Sequence, residues 1–229
     1  MGSSSLLFFF VFADWFFIIT TAGSIAPSPC TKNGNNLYDL MLNSSLETSK
    51  LIMESNFIQE IEDGSLNPGR FASATLQILH CQTEIGKMLK YLAREDHNTL
   101  AQFFAMQAES YRKGCEVLMT LYKLETASCI MPKSSAKKYV SYFKSLLPQN
   151  RIYFVIGLMS PVIMWPYISQ NLSIDPSSTY SFMLSNDIYD PRPEIEGILS
   201  QHCSSINKVK AMQVFTDGIE QVKNFFYTL

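Results

Sequence analysis

The sequence predicts an all-α protein, a bundle of about seven helices, from three observations. Hydrophobic residues make up 47% of the 229 positions and charged residues 17%, which is typical of a folded chain with a buried core. Apolar residues after position 36 recur every three or four positions, the spacing of amphipathic helices. No segment alternates apolar and polar residues between hairpin turns, as half-buried strands would. We therefore expect one helical domain over residues 36–229.

The N-terminal segment differs in composition from the rest of the chain. Residues 6–20 are almost wholly apolar, with Asp14 as their single charge, and small residues follow at positions 22–24. This pattern predicts a secretory signal peptide over residues 1–24 and hence a secreted, extracellular protein without a membrane anchor. An uncleaved anchor is the alternative, because no Lys or Arg precedes the apolar run. Residues 25–35 are rich in Pro, Ser, Gly and Asn, so we expect an extended lead-in.

Two further features bear on the compartment and on partners. Glycosylation triplets of the form Asn-x-Ser begin at Asn43 and Asn171 and fit a secreted glycoprotein. The formal net charge is only −2. Proteins that bind nucleic acid usually carry a basic face, so we expect no nucleic-acid partner.

Five cysteines follow the predicted signal peptide, namely Cys30, Cys81, Cys115, Cys129 and Cys203. An oxidising compartment would permit two disulfides with one thiol left over. Cys30 and Cys129 lie in predicted loops and are better bridge candidates than Cys81, which lies inside a strongly periodic helix. No Cys-x-x-Cys motif occurs, and the spacings do not suggest a metal site.

The first two helices are predicted to meet at a tight corner. Helix one covers residues 36–62, with a polar middle that loosens or bends it. Gly64 ends it, because glycine tolerates the left-handed conformation at a helix C-terminus. Asn67 is the expected N-cap of helix two, which begins with proline at its first position and covers residues 68–94.

The remaining helices follow the same periodicity. They are predicted over residues 98–124, 134–147, 150–170, around 180–184, and 194–227. Ser134 is the expected cap of the fourth helix. The fifth is apolar on every face, which suits either a central buried helix or a membrane span. Pro161 and Pro166 and the lack of long basic flanks favour the buried helix.

The corner sequence is also the first of three stretches that together resemble one protein family. Residues 57–77 follow the spacing F-x5-DG-x-L-x4-F-x5-Q, which is similar to the TenA, or thiaminase II, family. Residues 145–168 resemble the turn and central helix of that family, and residues 215–226 resemble its closing helix. The three matches keep their order over most of the mature chain. The resemblance implies the haem-oxygenase-like multi-helical fold.

The resemblance also implies a chemistry. Enzymes of this family hydrolyse thiamin or an aminopyrimidine derived from it. They use a cysteine after the central-helix proline as nucleophile, a glutamate on the last helix as proton shuttle, and an aspartate and tyrosines that hold the pyrimidine. The cysteine adds to the ring while the carboxylates move protons, so each role requires its own side chain.

Most of these catalytic side chains are replaced in this sequence. The aspartate position after Gln77 is Ile78, and the tyrosine three residues further is Cys81. The cysteine position is Val162, and the glutamate position is Val222. Only Tyr139 matches one of the tyrosines that hold the substrate. The resemblance therefore implies a catalytically degenerate member, whose apolar site suits an uncharged ligand because buried unpaired charges are costly.

The first hypothesis is thus a secreted TenA-like protein that binds a small apolar or aromatic ligand in a central pocket, without a cofactor. The predicted ligand-binding residues are Ile78, Cys81, Tyr139, Val162, Tyr167 and Val222. Relatives in the family often form tetramers, so a homo-oligomer is possible.

Two alternatives remain open. The first is a secreted thiamin-degrading enzyme that uses Cys81 as a relocated nucleophile, Glu220 as acid or base, and Tyr139. Adjacent helix residues diverge by about 100°, so His80 is poorly aimed at Cys81, and Glu220 is expected to face solvent unless a bulge turns it inward. The second is a structural or surface-recognition protein. Haem ligation by histidine is not expected, because none of the three (His80, His97 and His202) lies where the resemblance would place an axial ligand.

Overall fold

The computed structural model describes residues 37–94, 99–181 and 192–229, and within these ranges every regular element is helical. The eight α-helices are α1 (Leu37–Met53), α2 (Asn56–Glu62), α3 (Pro68–Leu92), α4 (Thr99–Leu121), α5 (Ser134–Leu146), α6 (Arg151–Asn171), α7 (Arg192–Gln201) and α8 (Lys208–Phe226). The all-α prediction is confirmed. The predicted signal peptide and the lead-in lie outside the described residues.

Two of the predicted helices are each divided in two. The first ends at Met53, and the Ser55 side chain then accepts from the Ile58 N–H to begin α2. The single closing helix predicted over residues 194–227 is wrong, because α7 ends at Gln201 and Asn207 caps α8 through the Lys210 N–H at 3.0 Å. In both places a polar side chain satisfies free backbone amides, which favours a new helix start over continuation.

The corner between α2 and α3 has the predicted geometry. Gly64 has a φ of +74°, the left-handed conformation expected there. The Asp63 carboxylate accepts from the Ser65 N–H at 2.9 Å, and hydrogen bonding from Ser65 lowers the pKa of that carboxyl. The Asn67 side chain accepts from the Gly69 N–H at 2.8 Å and so caps α3.

A side chain distant in sequence fixes the same corner. The Tyr180 hydroxyl donates to the Leu66 carbonyl at 2.7 Å, and the Tyr180 ring lies 5.2 Å from the ring of Phe71. Arg70 forms an ion pair with Glu60 across the turn. The segment after α6 therefore packs against the corner and completes it.

Helix α6 forms the centre of the fold. It packs against α1, α5 and α8, and its residues from Ile152 to Pro161 are all buried. Among the described helices only α6 is long and apolar enough to cross a membrane, yet 78% of its most apolar window is buried inside the protein. Its all-round apolar surface therefore matches the predicted central helix.

Helices α3 and α4 pair along their length at one side of this centre. They approach closely at Gly86, where an added Cβ would lie 3.4 Å from the Tyr111 Cβ. Gln77 on α3 also binds the chain before α5, since its Oε1 accepts from the Lys133 N–H at 2.6 Å and its Nε2 donates to the Met131 carbonyl. Lys133, without a side-chain cap, precedes α5, so the prediction of Ser134 as the cap is wrong.

The cysteines correct a further prediction. Cys81 and Cys115 are buried free thiols, and Cys129 is an exposed free thiol whose Sγ donates to the Thr126 carbonyl at 3.0 Å. Cys203 is a half-cystine. Three free thiols among five cysteines exclude two disulfides, so both that prediction and the choice of Cys129 as a bridge candidate are wrong. Cys30 lies outside the described residues.

Candidate functional site

The residues predicted to line a central pocket come from four helices. Ile78 and Cys81 on α3 have no exposed surface, and Tyr139 on α5 and Val222 on α8 are also buried. Val162 and Tyr167 on α6 are half-buried. No titratable group replaces the family's carboxylates at positions 78 and 222, which hold hydrocarbon side chains.

A set of aromatic rings, which we call the central aromatic cluster, packs around Tyr139. It consists of Tyr139, Phe143, Phe154 and Phe225. The Tyr139 ring lies 5.3 Å from Phe143 and 6.3 Å from Phe225, and Phe143 lies 5.3 Å from Phe154. These are ordinary contact distances for packed rings. Burial holds the pKa of the Tyr139 hydroxyl well above its usual value, so this group stays protonated.

Cys81 adjoins this cluster as a buried thiol. Its Sγ lies 3.9 Å from the carbonyl of Ala136. Burial raises the pKa of the thiol far above neutral pH, so the reactive thiolate does not form there. The adjacent His80 is half-buried, and burial also lowers its pKa. Nucleophilic cysteines usually lie in accessible, electropositive environments, and the environment of Cys81 is buried instead.

Glu220 lies at a different place, on the surface of α8. Its carboxylate pairs with Lys223 at 2.7 Å, and it lines a shallow surface cavity of about 550 Å³ together with Tyr142 and Asp217. Cys81 is not among the residues that line this cavity. The structure therefore does not bring Cys81 and Glu220 into one cavity, as a relocated active site would require.

The larger of the two described cavities is a groove of about 1010 Å³ between α3 and α4, which we call the α3–α4 groove. Several residues of the segment 125–132 also line it. Its lining residues are His80, Gln82, Thr83, Glu84, Gly86, Lys87, Lys90, Ala93, Arg94, Ala105, Ala108, Glu109, Tyr111, Arg112, Cys115, Glu116, Met119, Glu125, Thr126, Ala127, Ser128, Ile130 and Pro132. Neither Tyr139 nor Val222 lines it.

The charges around the groove balance. Four acidic and four basic residues line it, namely Glu84, Glu109, Glu116 and Glu125 with Lys87, Lys90, Arg94 and Arg112. Lys87 binds Glu84 at 2.6 Å, and Arg112 pairs with Glu109 and Glu116. Such exposed pairs add little stability, but they leave the rim without net charge. Most of the uncharged lining residues are small or apolar, so the chemistry of the groove favours a neutral ligand.

The inner wall of the groove contains its most buried polar groups. Tyr111 is buried, and its pKa is raised by burial and by the nearby Cys81 and Cys115 thiols. Thr83 donates to the Leu79 carbonyl at 2.8 Å, and its hydroxyl lies 3.5 Å from the Cys115 sulfur. Tyr111 lines the groove and is also near enough to Tyr139 to contribute to the raised pKa of that hydroxyl.

Gln82 is the unusual residue of that wall. Its side chain is buried, yet neither Nε2 nor Oε1 has a hydrogen-bond partner. Gly114 of α4 faces it, and a Cβ added there would lie 3.5 Å from Nε2 and 3.6 Å from Oε1. Buried amides are nearly always paired in folded proteins, so this pair of free polar atoms needs an explanation.

Sequence reasoning did not identify this groove. One signal for it exists, because Ala105, Ala108, Arg112, Cys115 and Met119 share one face of α4 and three of them are small. Small residues on a helix face leave space beside the neighbouring helix. Periodicity alone could not show which helix would lie opposite.

Metal ligation has no obvious location in the described part of the chain. No group of three or more His, Cys, Asp or Glu side chains is arranged there to hold an ion. His80 lines the groove, His202 is half-buried with a pKa lowered by burial, and His97 lies outside the described residues.

Comparison with known proteins identifies the fold. No protein-family profile and no curated protein matches the sequence. The structure is similar to a TenA family transcription regulator from Silicibacter sp. TM1040, with a TM-score of 0.67 and 12% identity over 84% of this chain and 95% of that one. It is also similar to a TenA homologue from P. horikoshii OT3, with a TM-score of 0.66 and 16% identity over 84% and 97%. The chain therefore has the haem-oxygenase-like helical fold of TenA proteins, as its sequence resemblance implied.

Proposed function

We propose that this chain is a secreted, non-catalytic protein with the TenA fold that binds a small neutral molecule, apolar or aromatic, in the α3–α4 groove. The observation that carries the proposal is the contrast between that groove, of about 1010 Å³, and the packed rings around Tyr139. A ligand at Tyr139 would have to displace Phe143 or Phe225, whereas the groove is already open.

The size and lining of the groove support small-molecule binding. Ligand cavities typically measure roughly 300–1,000 Å³ and are lined by apolar groups with a few polar ones that fix orientation. Ala108, Met119 and Ile130 supply apolar surface, and His80 and Ser128 supply polar groups. The balanced rim charges give an anion or a cation no net attraction.

The residues at the family's catalytic positions support the absence of turnover. Val162 and Val222 can neither attack a ring carbon nor carry a proton. Burial keeps Cys81 protonated, so its thiol is a poorer nucleophile than the thiol of a solvent-exposed cysteine. The enzyme alternative with Cys81 and Glu220 would need a cavity that both side chains reach.

Secretion rests on the apolar N-terminal segment and the two sequons. Asn43 on α1 and Asn171 at the end of α6 are both exposed, which glycosylation of a folded chain requires. The N-terminal residue of the mature protein and the mass lost on glycosidase treatment test this part of the proposal.

Native mass spectrometry of the protein purified from its own source tests binding. We expect a retained neutral ligand in equimolar amount and no turnover of thiamin. Steady release of pyrimidine from thiamin, lost in the Cys81→Ala variant, would contradict the proposal and favour the enzyme alternative.

The place of binding is tested with Nile red, a neutral aromatic dye whose fluorescence rises in apolar surroundings. Ala105→Trp and Ala108→Trp insert a bulky ring into the groove and should weaken dye binding about tenfold or more. Met106→Trp is the matched control, since Met106 is exposed on the same helix but does not line the groove. Equal affinity in all three variants would exclude the groove as the binding site.

A further inference from the structure

We propose that the exposed side of α5 is a docking surface for a linear sulfated polysaccharide, whose sulfate groups bind a row of lysines. This row, which we call the α5 lysine face, consists of Lys133, Lys137, Lys138 and Lys144. Binding at this surface does not require the α3–α4 groove. Only the choice of an extracellular polyanion rests on the proposed secretion.

The charge of this part of the chain has one sign. Residues 126–174 contain no Asp or Glu, although the whole chain has 20 of them and a formal net charge of −2. All four lysines are exposed, and no carboxylate of the described residues forms an ion pair with them. By contrast, Lys87, Arg112 and Lys223 each pair with a glutamate on their own helix. Helix α5 therefore presents a local positive charge that the net charge of the chain conceals.

Helical geometry places these lysines along the outward side of α5, since the inward side is buried in the core. Lys137 and Lys144 are seven positions apart, so they share one side of the helix and lie about 10 Å apart along its axis. Lys138 lies about 100° further round the helix, and Ser141 lies between the two directions. The face is therefore a strip with ammonium groups along both margins and a small hydroxyl between them.

Helix α3 borders one margin of this strip without adding net negative charge. Burial lowers the pKa of His80, and nearby lysines, Lys144 and Lys137 among them, lower it further. These two lysines therefore lie close to this part of α3. The acidic group there is Glu84, which pairs with Lys87 at 2.6 Å. Its charge is thus already balanced by its own helix.

Helix α8 borders the other margin. Lys138 lines the shallow cavity of about 550 Å³ together with Asp217 and Glu220 of α8. Glu220 pairs with Lys223 at 2.7 Å, and Asp217 accepts a hydrogen bond from Gln213 at 2.8 Å. The strip and its two borders thus hold six basic side chains against three acidic ones, namely Lys87, Lys133, Lys137, Lys138, Lys144 and Lys223 against Glu84, Asp217 and Glu220.

The chemistry of the α5 lysine face favours a sulfated polysaccharide over other polyanions. Lysine ammonium groups bind anionic oxygens as point charges and need no planar partner. The exposed side chains of α5 include no aromatic ring on which a nucleic-acid base could stack. Binding at a membrane surface also draws on apolar area, and no large hydrophobic side chain of α5 is exposed. A chain of sulfated sugars needs neither a stacking ring nor an apolar anchor.

Fluorescence anisotropy of a labelled heparin hexasaccharide tests this surface on the full-length protein. We expect binding that weakens with salt, with a slope of about three in a plot of log Kd against log salt concentration, because each bound ammonium group releases a counterion. A heparin disaccharide is too short to reach from Lys133 to Lys144, which lie about 16 Å apart along the helix. It should bind about tenfold more weakly than the hexasaccharide, and equal affinity would contradict an extended surface.

A triple variant assigns the binding to α5. Lys137→Gln, Lys138→Gln and Lys144→Gln together should weaken hexasaccharide binding about tenfold or more and reduce the salt slope to about one. The three side chains are exposed and carry no ion pair, so the thermal unfolding midpoint should stay close to that of the unmodified protein. An unchanged affinity and slope would overturn the inference.

A second triple variant is the matched control. Lys50→Gln, Lys113→Gln and Lys208→Gln together remove the same charge at exposed positions of α1, α4 and α8. They should change the affinity by less than about twofold, because charges beyond about 10 Å are screened at moderate salt. Equal weakening by both triple variants would mean that only the total charge of the protein matters, and would overturn the inference.

Other polyanions identify the partner. At equal concentration of negative charge, vesicles that contain phosphatidylserine and a duplex DNA should each bind about tenfold more weakly than the hexasaccharide. Tighter binding of the vesicles would make the face a membrane surface, and tighter binding of the DNA would make it a nucleic-acid surface. Either result would overturn the assignment to a polysaccharide.

The outcomes also separate this surface from the proposed function. Ala108→Trp fills the α3–α4 groove and should leave heparin affinity unchanged. Loss of dye binding with heparin binding kept would reject the groove and retain the surface, whereas the reverse would reject the surface alone. A protein that keeps residues 1–24 and stays inside the cell would reject secretion, and the extracellular partner with it.

Discussion

Helix α3 presents two different surroundings on its two sides. Toward the interior, Ile78 and Cys81 are enclosed without exposed surface next to the central aromatic cluster. Toward α4, Thr83, Gly86 and Lys90 line an open groove. Positions only two residues apart, such as 81 and 83, therefore belong to the packed core and to the groove wall. The helical rotation of about 100° per residue is enough to separate them.

A sequence position that matches a family's substrate site need not lie beside an open cavity in this protein. At the centre, where the family resemblance locates a substrate, Phe143, Phe154 and Phe225 are all buried and in ring contact. In the groove, the small side chains of Ala105 and Ala108 on α4 leave volume beside α3. Large rings fill the space that their helices enclose, and small side chains leave it open.

The largest expected effect comes from removing a ring at the centre. Phe143→Ala should lower the free energy of unfolding by about 3–5 kcal/mol, because Phe143 is fully buried and its loss leaves a cavity. Met119→Ala in the groove wall, where the side chain is half-buried, should cost about 1 kcal/mol. Urea denaturation measures both values. A loss of only about 1 kcal/mol in the free energy of unfolding for Phe143→Ala would indicate an open central pocket and would contradict the contrast between a packed centre and an open groove.

Two glycine substitutions compare packing at the core with packing between α3 and α4, and their expected effect on stability is intermediate. A Cβ on Gly218 of α8 would overlap the Ser160 hydroxyl and lie 3.0 Å from the Tyr142 hydroxyl, so Gly218→Ala should destabilise by about 1–3 kcal/mol. Gly114→Ala on α4 places its Cβ in ordinary contact with Gln82 and should instead be neutral or stabilising by up to about 1 kcal/mol, because alanine favours a helix. Thermal unfolding compares the two, and similar losses would show that the groove side is packed like the core.

The two buried glutamines of α3 should respond with opposite signs. Gln77→Met leaves the Lys133 N–H without its acceptor and should cost about 1–3 kcal/mol. Gln82→Met removes two polar atoms that have no partner in the ligand-free protein and should stabilise it by about 1 kcal/mol. Denaturant unfolding of the ligand-free protein measures both. Destabilisation by Gln82→Met would indicate that its amide is paired.

Alkaline pH should have the smallest effect and should report on the Cys81 side of α3. The pKa of Cys81 is raised in the folded protein, so its contribution to stability is complete below the unfolded thiol value near 8.5 and is lost as the pH rises above it. The unfolded chain then releases a proton that the folded chain retains. Between pH 7 and pH 9 the free energy of unfolding should fall by somewhat under 1 kcal/mol for this thiol, and Cys81→Ala should remove that part of the decrease.

Much of the local structure could be predicted because it depends on neighbouring residues. The stop at Gly64 and the cap at Asn67 follow from backbone conformations that few side chains allow or satisfy. The all-round apolar sequence of α6 predicted its central place. Predictions that looked only at apolar spacing missed the breaks at Ser55 and Asn207, because a capping side chain can begin a new helix without disturbing the periodicity.

The sequence by itself determined the all-α class, the corner before α3 and the identity of the helix at the centre. Only the tertiary structure decided that aromatic rings pack against Tyr139, that Cys129 stays a free thiol, and that the buried amide of Gln82 has no hydrogen-bond partner. Caps and periodicity act over a few residues and can be read in order along the chain. Cavities and unpaired amides depend on how distant helices cross, and the shape of that crossing is a property of the packed molecule.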